Sequence, residues 1–137
     1  MINPAPEIRK GLFALLNANV IYAAAVVPVY EGEGVVTDYQ ILIGDTTYTD
    51  EGTKHSFDGR VNQTIEVVTE VKGSTTTKHA DAITEQVLDL ILPTPRTTGL
   101  DIDGFKPCRI SKNLRLLREQ GTKSTIVRRI IELNFLL

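Results

Sequence analysis

Residues 61–72 read Val-Asn-Gln-Thr-Ile-Glu-Val-Val-Thr-Glu-Val-Lys. Val61, Gln63, Ile65, Val67, Thr69 and Val71 fall on one face of an extended chain, and Asn62, Thr64, Glu66, Val68 and Glu70 on the other. A period of two sustained this long fits a half-buried β-strand, because successive strand side chains point to opposite faces. Composition extends the inference. Thr, Val and Ile together number 41 of 137 residues. Their β-branched side chains are stiff at χ1 and suit a pleated surface better than a helix. A sheet-dominated domain with a few helices follows.

The other elements can be placed around that strand. Asn3 can cap a first helix, with Pro4 at the position where no N–H is needed. Ile8, Leu12 and Leu15, with Leu16 alongside, form its apolar stripe, and Asn17-Ala18-Asn19 ends it. Val20-Ile21-Tyr22 and Val26 to Tyr30 read as two short strands around Ala23-Ala24-Ala25. Pro28 lacks a ladder donor, so the second belongs at a sheet edge. Glu31 to Gly34 is a turn, and Tyr39 to Ile43 suits a central strand ended by Gly44-Asp45. Residues 45–59 are polar and read as a long loop, of a kind that is usually functional or mobile. Gly73 and Ser74 to Thr77 break the alternating strand and can cap a second helix. Ala80, Ile83, Val87, Leu90 and Ile91 form its buried stripe, and Pro93 and Pro95 stop it. Residues 94–107 are a connection punctuated by Gly and Pro, and Cys108 to Leu137 reads as a hairpin turning near Gln120-Gly121-Thr122.

The last segment carries two periodicities. Ile126, Ile130, Leu133 and Leu137 have helical spacing, while Val127, Ile131, Leu133, Phe135 and Leu137 have strand spacing. Periodicity does not arbitrate, and the β-branched density of Thr125, Ile126, Val127, Ile130 and Ile131 favours a strand. The expected class is α+β: a mostly antiparallel mixed sheet flanked by an N-terminal helix and a central helix, with a C-terminal β-hairpin. An apolar end such as Asn134-Phe135-Leu136-Leu137 is expected to dock, in its own core as a strand or against a neighbour.

The length fits one domain over residues 1–137 with a core that needs no metal or disulfide staple. One cysteine excludes an internal disulfide framework and a thiolate zinc cluster, and points to synthesis in a reducing, cytosolic setting. No apolar run is long enough to span a membrane, and Met1 to Glu7 lacks the basic and apolar regions of a signal peptide. A soluble protein with no membrane partner is expected.

Chemistry-bearing motifs are scarce. His55 and His79 stand in no metal-spaced pair, and His79 in a first helical turn reads as solvated. Cys108 reads as a small buried hydrophobe rather than a nucleophile. Asp101-Ile102-Asp103-Gly104 resembles the front of a calcium loop but lacks the later oxygen ligands and the closing Glu. No Gly-rich phosphate loop follows a strand. An enzyme reading has no constellation to stand on, and no catalytic residue, cofactor or metal is expected.

Charge is more informative. The formal net charge of −2 hides an uneven split. From Lys106 onward eight basic residues face two acidic ones, giving +6, whereas the first 105 residues sum to −8. Two solvated faces could differ in this way by chance. The alternatives are electrostatic complementarity between copies or with a partner, and contact with nucleic acid through the basic hairpin. The hairpin holds one aromatic, Phe135, so a base-stacking platform is not indicated. The candidate interface residues are Asp45, Asp50, Glu51 and Lys54 around the polar loop, with Arg115, Arg118, Arg128, Arg129, Phe135 and Leu137 in the hairpin.

The order of elements carries a resemblance. An N-terminal helix precedes a short hairpin with Val27-Pro28-Val29-Tyr30, then Tyr39-Gln40-Ile41-Leu42-Ile43-Gly44-Asp45. A polar loop with Thr53-Lys54 follows, then the alternating strand, Gly73, Lys78-His79-Ala80-Asp81-Ala82-Ile83, and a C-terminal hairpin. Over nearly the whole chain this resembles the tail-completion, or tail terminator, proteins of long-tailed phages and prophages. Residues 94–113 match least well. The resemblance implies a non-enzymatic virion protein at the head–tail junction, assembled in the host cytoplasm. It implies a homo-oligomeric ring, commonly a hexamer, that caps the tail tube protein, stops its elongation and offers a surface to a head-completion or connector protein. The genome would cross the lumen without specific binding. The other readings are a small nucleic-acid-binding module and another head–tail connector.

Overall fold

The computed structural model describes residues 5–31, 38–50, 59–72, 76–93, 109–121 and 123–136. Among them, two helices, α1 (Ala5–Leu16) and α2 (Lys78–Ile91), accompany seven strands. These are β1 (Ile21–Tyr22), β2 (Ala25–Val26), β3 (Val29–Glu31), β4 (Tyr39–Asp50), β5 (Gly59–Lys72), β6 (Arg109–Gln120) and β7 (Ser124–Leu136). β1 and β2 form a two-stranded hairpin, and the other five make one sheet in the order β3-β4-β5-β7-β6. β3 runs parallel to β4, and the remaining neighbours are antiparallel. The fold is α+β with a mixed, mostly antiparallel sheet and a C-terminal hairpin, β6–β7.

The alternating run is the middle strand, β5. Val61, Gln63, Ile65, Val67, Thr69 and Val71 are all buried on one face. Both helices lie on that face, α1 over β4 and α2 over β5 and β7. Ile8, Leu12 and Leu16 of α1 and Ile83, Val87 and Ile91 of α2 meet Ile41, Ile43, Ile65, Val67, Ile131 and Leu133 in one core. Each such aliphatic side chain contributes about 1.5–3 kcal/mol when removed from water. The second face keeps a narrower buried strip of Leu42, Val68 and Ile130, with Gln40.

Ile43-Gly44-Asp45 does not end the central strand. The β4–β5 register shifts between Ile43 and Thr46, so Gly44 and Asp45 form a β-bulge and β4 continues to Asp50. Buried Gln63 satisfies the bulge: its Nε2 donates to the carbonyls of Gly44 at 3.0 Å and Thr64 at 2.9 Å, and its Oε1 accepts from the Thr46 hydroxyl. Arg9 of α1 donates to the same Gly44 carbonyl at 2.8 Å. A Cβ on Gly44 would stand 3.1 Å from the Thr64 carbonyl oxygen, so the crowded bulge favours glycine. The expected loop over 45–59 is therefore corrected. Its first part is strand, Gly59 already belongs to β5, and residues 51–58 lie outside the described residues. Thr46, Thr47 and Thr49 are polar but β-branched, and a pleated, half-exposed surface accepts them.

The two short strands expected around Ala23–Ala25 are three. Ile21 pairs with Val26 and Tyr22 with Ala25, which leaves Ala23 and Ala24 as a two-residue turn. Their φ values are 53° and 62°, the left-handed pair that a type I′ hairpin needs. Pro28 keeps its edge role. β3 lies at the sheet edge, and the Pro28 carbonyl accepts from the Ile41 N–H at 2.9 Å.

In α1, Leu16 rather than Leu15 is fully buried; in α2, Thr84 joins the buried stripe and Leu90 is half-buried. Thr77 stands at the α2 N-cap, but its hydroxyl donates to the Asp81 carboxylate at 3.0 Å instead of capping the helix. The C-terminal segment is strand, paired along its length with β5 and β6. Val127, Ile131 and Leu133 are buried toward the helices while Ile130 is buried on the second face, which explains the double periodicity. The hairpin turns at Gly121, whose N–H donates to the Ser124 carbonyl at 2.8 Å. Asn3, Pro4, Gly73, Ser74, residues 94–107 and Cys108 lie outside the described residues.

Candidate functional site

The basic hairpin is built from two unlike strands. β7 lies between β5 and β6 and is mostly covered, whereas β6 is the outer strand. From Ser111 to Gln120 only Leu116 is as much as half-buried. Register places Lys112, Leu114, Leu116 and Arg118 on the face that carries the helices, opposite Leu133, Ile131, Arg129 and Val127. Ser111, Asn113, Arg115, Leu117 and Glu119 lie on the other face.

Much of the hairpin's charge is used within the chain. Arg128 spans three strands on the second face, with Nη1 3.1 Å from Glu66 of β5 and Nε 3.2 Å from Glu119 of β6. Arg129 reaches the opposite face, where Nη2 is 3.0 Å from Asp81 and ties β7 to the first turn of α2. Arg115 meets Glu132 at 2.7 Å on the surface. Glu66 and Asp81 belong to the acidic portion of the chain, so part of the −8/+6 contrast is neutralised internally. Alternation along β7 sends consecutive arginines to opposite faces, a separation that the charge count conceals. Lys112 and Arg118 are exposed, with no acidic partner among the described residues.

The other candidates scatter. Asp45 is exposed in the bulge, and Asp50 closes β4. β5 and β7 stand between that strand and β6, so Asp45 is not brought together with the cations of β6. Phe135 lies in β7 opposite Val61 and Ile110. Glu51, Lys54 and Leu137 lie outside the described residues.

Two features escaped the sequence reading. The first is the β1–β2 tip, where the cross-strand pair Ile21 and Val26 is 56% and 52% exposed. Gln86 of α2 holds the tip by bonding both backbone groups of Ile21. No charged residue occurs from Val20 to Tyr30, and that run was the available signal. The second is an aromatic cluster. His79 is not a solvated surface residue: its Nδ1 lies 2.6 Å from the Tyr22 hydroxyl, and its ring packs edge-on to Tyr22 and tilted to Tyr39. Tyr22 and Tyr39 meet edge to face at 5.3 Å. The cluster joins the tip, β4 and α2 across the core, a structural use for the one described histidine.

Among the described residues, no group of three or more His, Cys, Asp or Glu is placed to hold a metal ion. No described helix is long and apolar enough to cross a membrane.

No protein-family model and no curated protein matches the sequence. The fold does have a solved counterpart. A chain in the structure described as "Virion of native gene transfer agent (GTA) particle" superposes with a TM-score of 0.59 at 13% identity. The match covers 97% of this chain and 96% of that one, so the likeness takes in the helices, the sheet and the hairpin together.

Proposed function

We propose that this chain is a structural protein of a phage-type virion, without enzymatic activity, that assembles into a closed ring on the end of a tail tube. The observation that carries the reading is the near end-to-end fold likeness to a chain of a virion particle. It agrees in kind with the resemblance of the sequence to tail terminators. In this role the ring, six-membered by analogy with that family, stops tube elongation and meets a head-completion protein, and the chain works as one domain at the head–tail junction. The outer strand β6, with Lys112, Arg115, Arg118, Leu114 and Leu117 exposed, supplies a surface suited to assembly. Internal pairing of Arg115, Arg128 and Arg129 leaves Lys112, Arg118 and Lys123 as the hairpin cations without an acidic partner among the described residues. Any contact with a passing genome is then weak and non-specific.

Sedimentation and negative-stain imaging of the pure protein, alone and with tail-tube protein, test the proposal. Rings, or tubes capped at one end and held at fixed length, are the expected result. A protein that stays monomeric and leaves tube growth unchanged in both settings overturns it.

A further inference from the structure

The sheet is wider than its helix layer. α2 lies over β5 and β7, and the Arg129–Asp81 contact marks its flank. Beyond that flank, on the same face, lie Lys112, Leu114, Leu116 and Arg118 of β6, apolar in the middle and cationic at the ends. Leu114 is 38% exposed there. Elsewhere the chain carries a patch of the opposite kind. The outer stripe of α2 presents Glu85 and Asp89, one turn apart and both exposed. Beside them the Gln86 amide fixes the β1–β2 tip with its exposed Ile21 and Val26. Neither acid has a cationic partner among the described residues.

We infer that the uncovered side of β6 receives the acidic outer stripe of α2 and the apolar β1–β2 tip of a second copy of this chain. The inference rests on the ring reading and specifies which two surfaces close it. Charge decides the pairing. Two β6 strands related by a two-fold axis would set Lys112, Arg115 and Arg118 against their own kind, and like charges facing each other at an interface are strongly unfavourable. The unlike pairing sets Lys112 and Arg118 against Glu85 and Asp89, and Leu114 and Leu116 against Ile21 and Val26. Such a head-to-tail contact leaves each copy with one free patch of each sort, which is the condition for a closed ring.

Charge reversal at exposed positions tests this. Arg118→Glu and Asp89→Lys, each confirmed folded by circular dichroism and thermal melting, should each weaken self-association about tenfold or more in sedimentation. The chain carrying both changes should regain most of the lost association, because every contact then pairs the swapped charges. If the single variants assemble like the wild type, or the double variant shows no recovery, this pairing is wrong while the ring reading stands. If the wild type itself never associates, alone or on tubes, the ring reading fails and the inference fails with it.

Discussion

The side-chain amide of Gln86 brackets the backbone of Ile21. Its Oε1 accepts from the Ile21 N–H at 3.2 Å and its Nε2 donates to the Ile21 carbonyl at 2.8 Å. A helix side chain thus stands in for a third strand beside β1, and a hairpin of two residues per strand gains a partner that it otherwise lacks. Gln86→Ala should cost about 0.5–1.5 kcal/mol per bond lost, at the lower end because the site is exposed. Amide exchange at Ile21 and Val27 should accelerate while the β5 amides stay protected. Equal acceleration in β5 would show that the tip is not an independent unit.

Ala23 and Ala24 occupy left-handed backbone conformations that cost an L-residue roughly 1–2 kcal/mol each. Asparagine followed by glycine tolerates that geometry. Ala23→Asn with Ala24→Gly should therefore stabilise the protein by about 1 kcal/mol, after allowance for the extra freedom glycine gives the unfolded chain. Urea midpoints at unchanged m-value give the comparison, and a lower midpoint would contradict the strain assigned to this turn.

Gln63 is a buried polar side chain whose amide is matched to the β4 bulge. Gln63→Leu removes its bonds to Gly44, Thr64 and Thr46, leaving Arg9 on the Gly44 carbonyl. A loss of about 1–3 kcal/mol is expected. The Thr46 amide should also become the most perturbed β4 resonance in an NMR spectrum. A near-neutral effect would mean that the ladder and Arg9 hold the bulge without Gln63.

Two of the ion pairs on the second face, Arg128–Glu66 and Arg115–Glu132, differ in exposure and should differ in worth. In Arg128–Glu66 the side chains are 19% and 24% exposed, against 57% and 37% in Arg115–Glu132. Double-mutant cycles to alanine should return a coupling near the top of the usual surface range, about 1 kcal/mol, for the first and close to zero for the second. Raising the salt concentration should erode both, the exposed pair sooner. A larger coupling for Arg115–Glu132 would reverse the assignment.

The alternating face of β5 was legible because its signal is local. Val61, Ile65 and Val67 need only the strand period and a buried side to declare themselves. The helices were legible for the same reason: Leu15 and Leu90 sit half-buried at the core margin beside the fully buried Leu16 and Ile91, and only the buried Thr84 was missing from the stripes. β4 beyond Gly44 was not legible. Polarity and a glycine normally mark a loop, and only the buried amide of Gln63, 19 residues away in sequence from Gly44, turns them into a bulge within a strand.

The amino-acid sequence by itself determined a sheet-rich α+β chain, its alternating half-buried strand, its C-terminal hairpin and an uneven distribution of charge. Tertiary structure decided which charges remain available. Alternation along β7 sends Arg128 to Glu66 and Arg129 to Asp81 on opposite faces, and the strand order leaves β6 outermost with Lys112 and Arg118 open to solvent. The physical reason is one of range. Side-chain periodicity is fixed by neighbours along the chain, whereas a charge is cancelled by whatever lies a few ångströms away, and that neighbour is chosen only when the strands assemble.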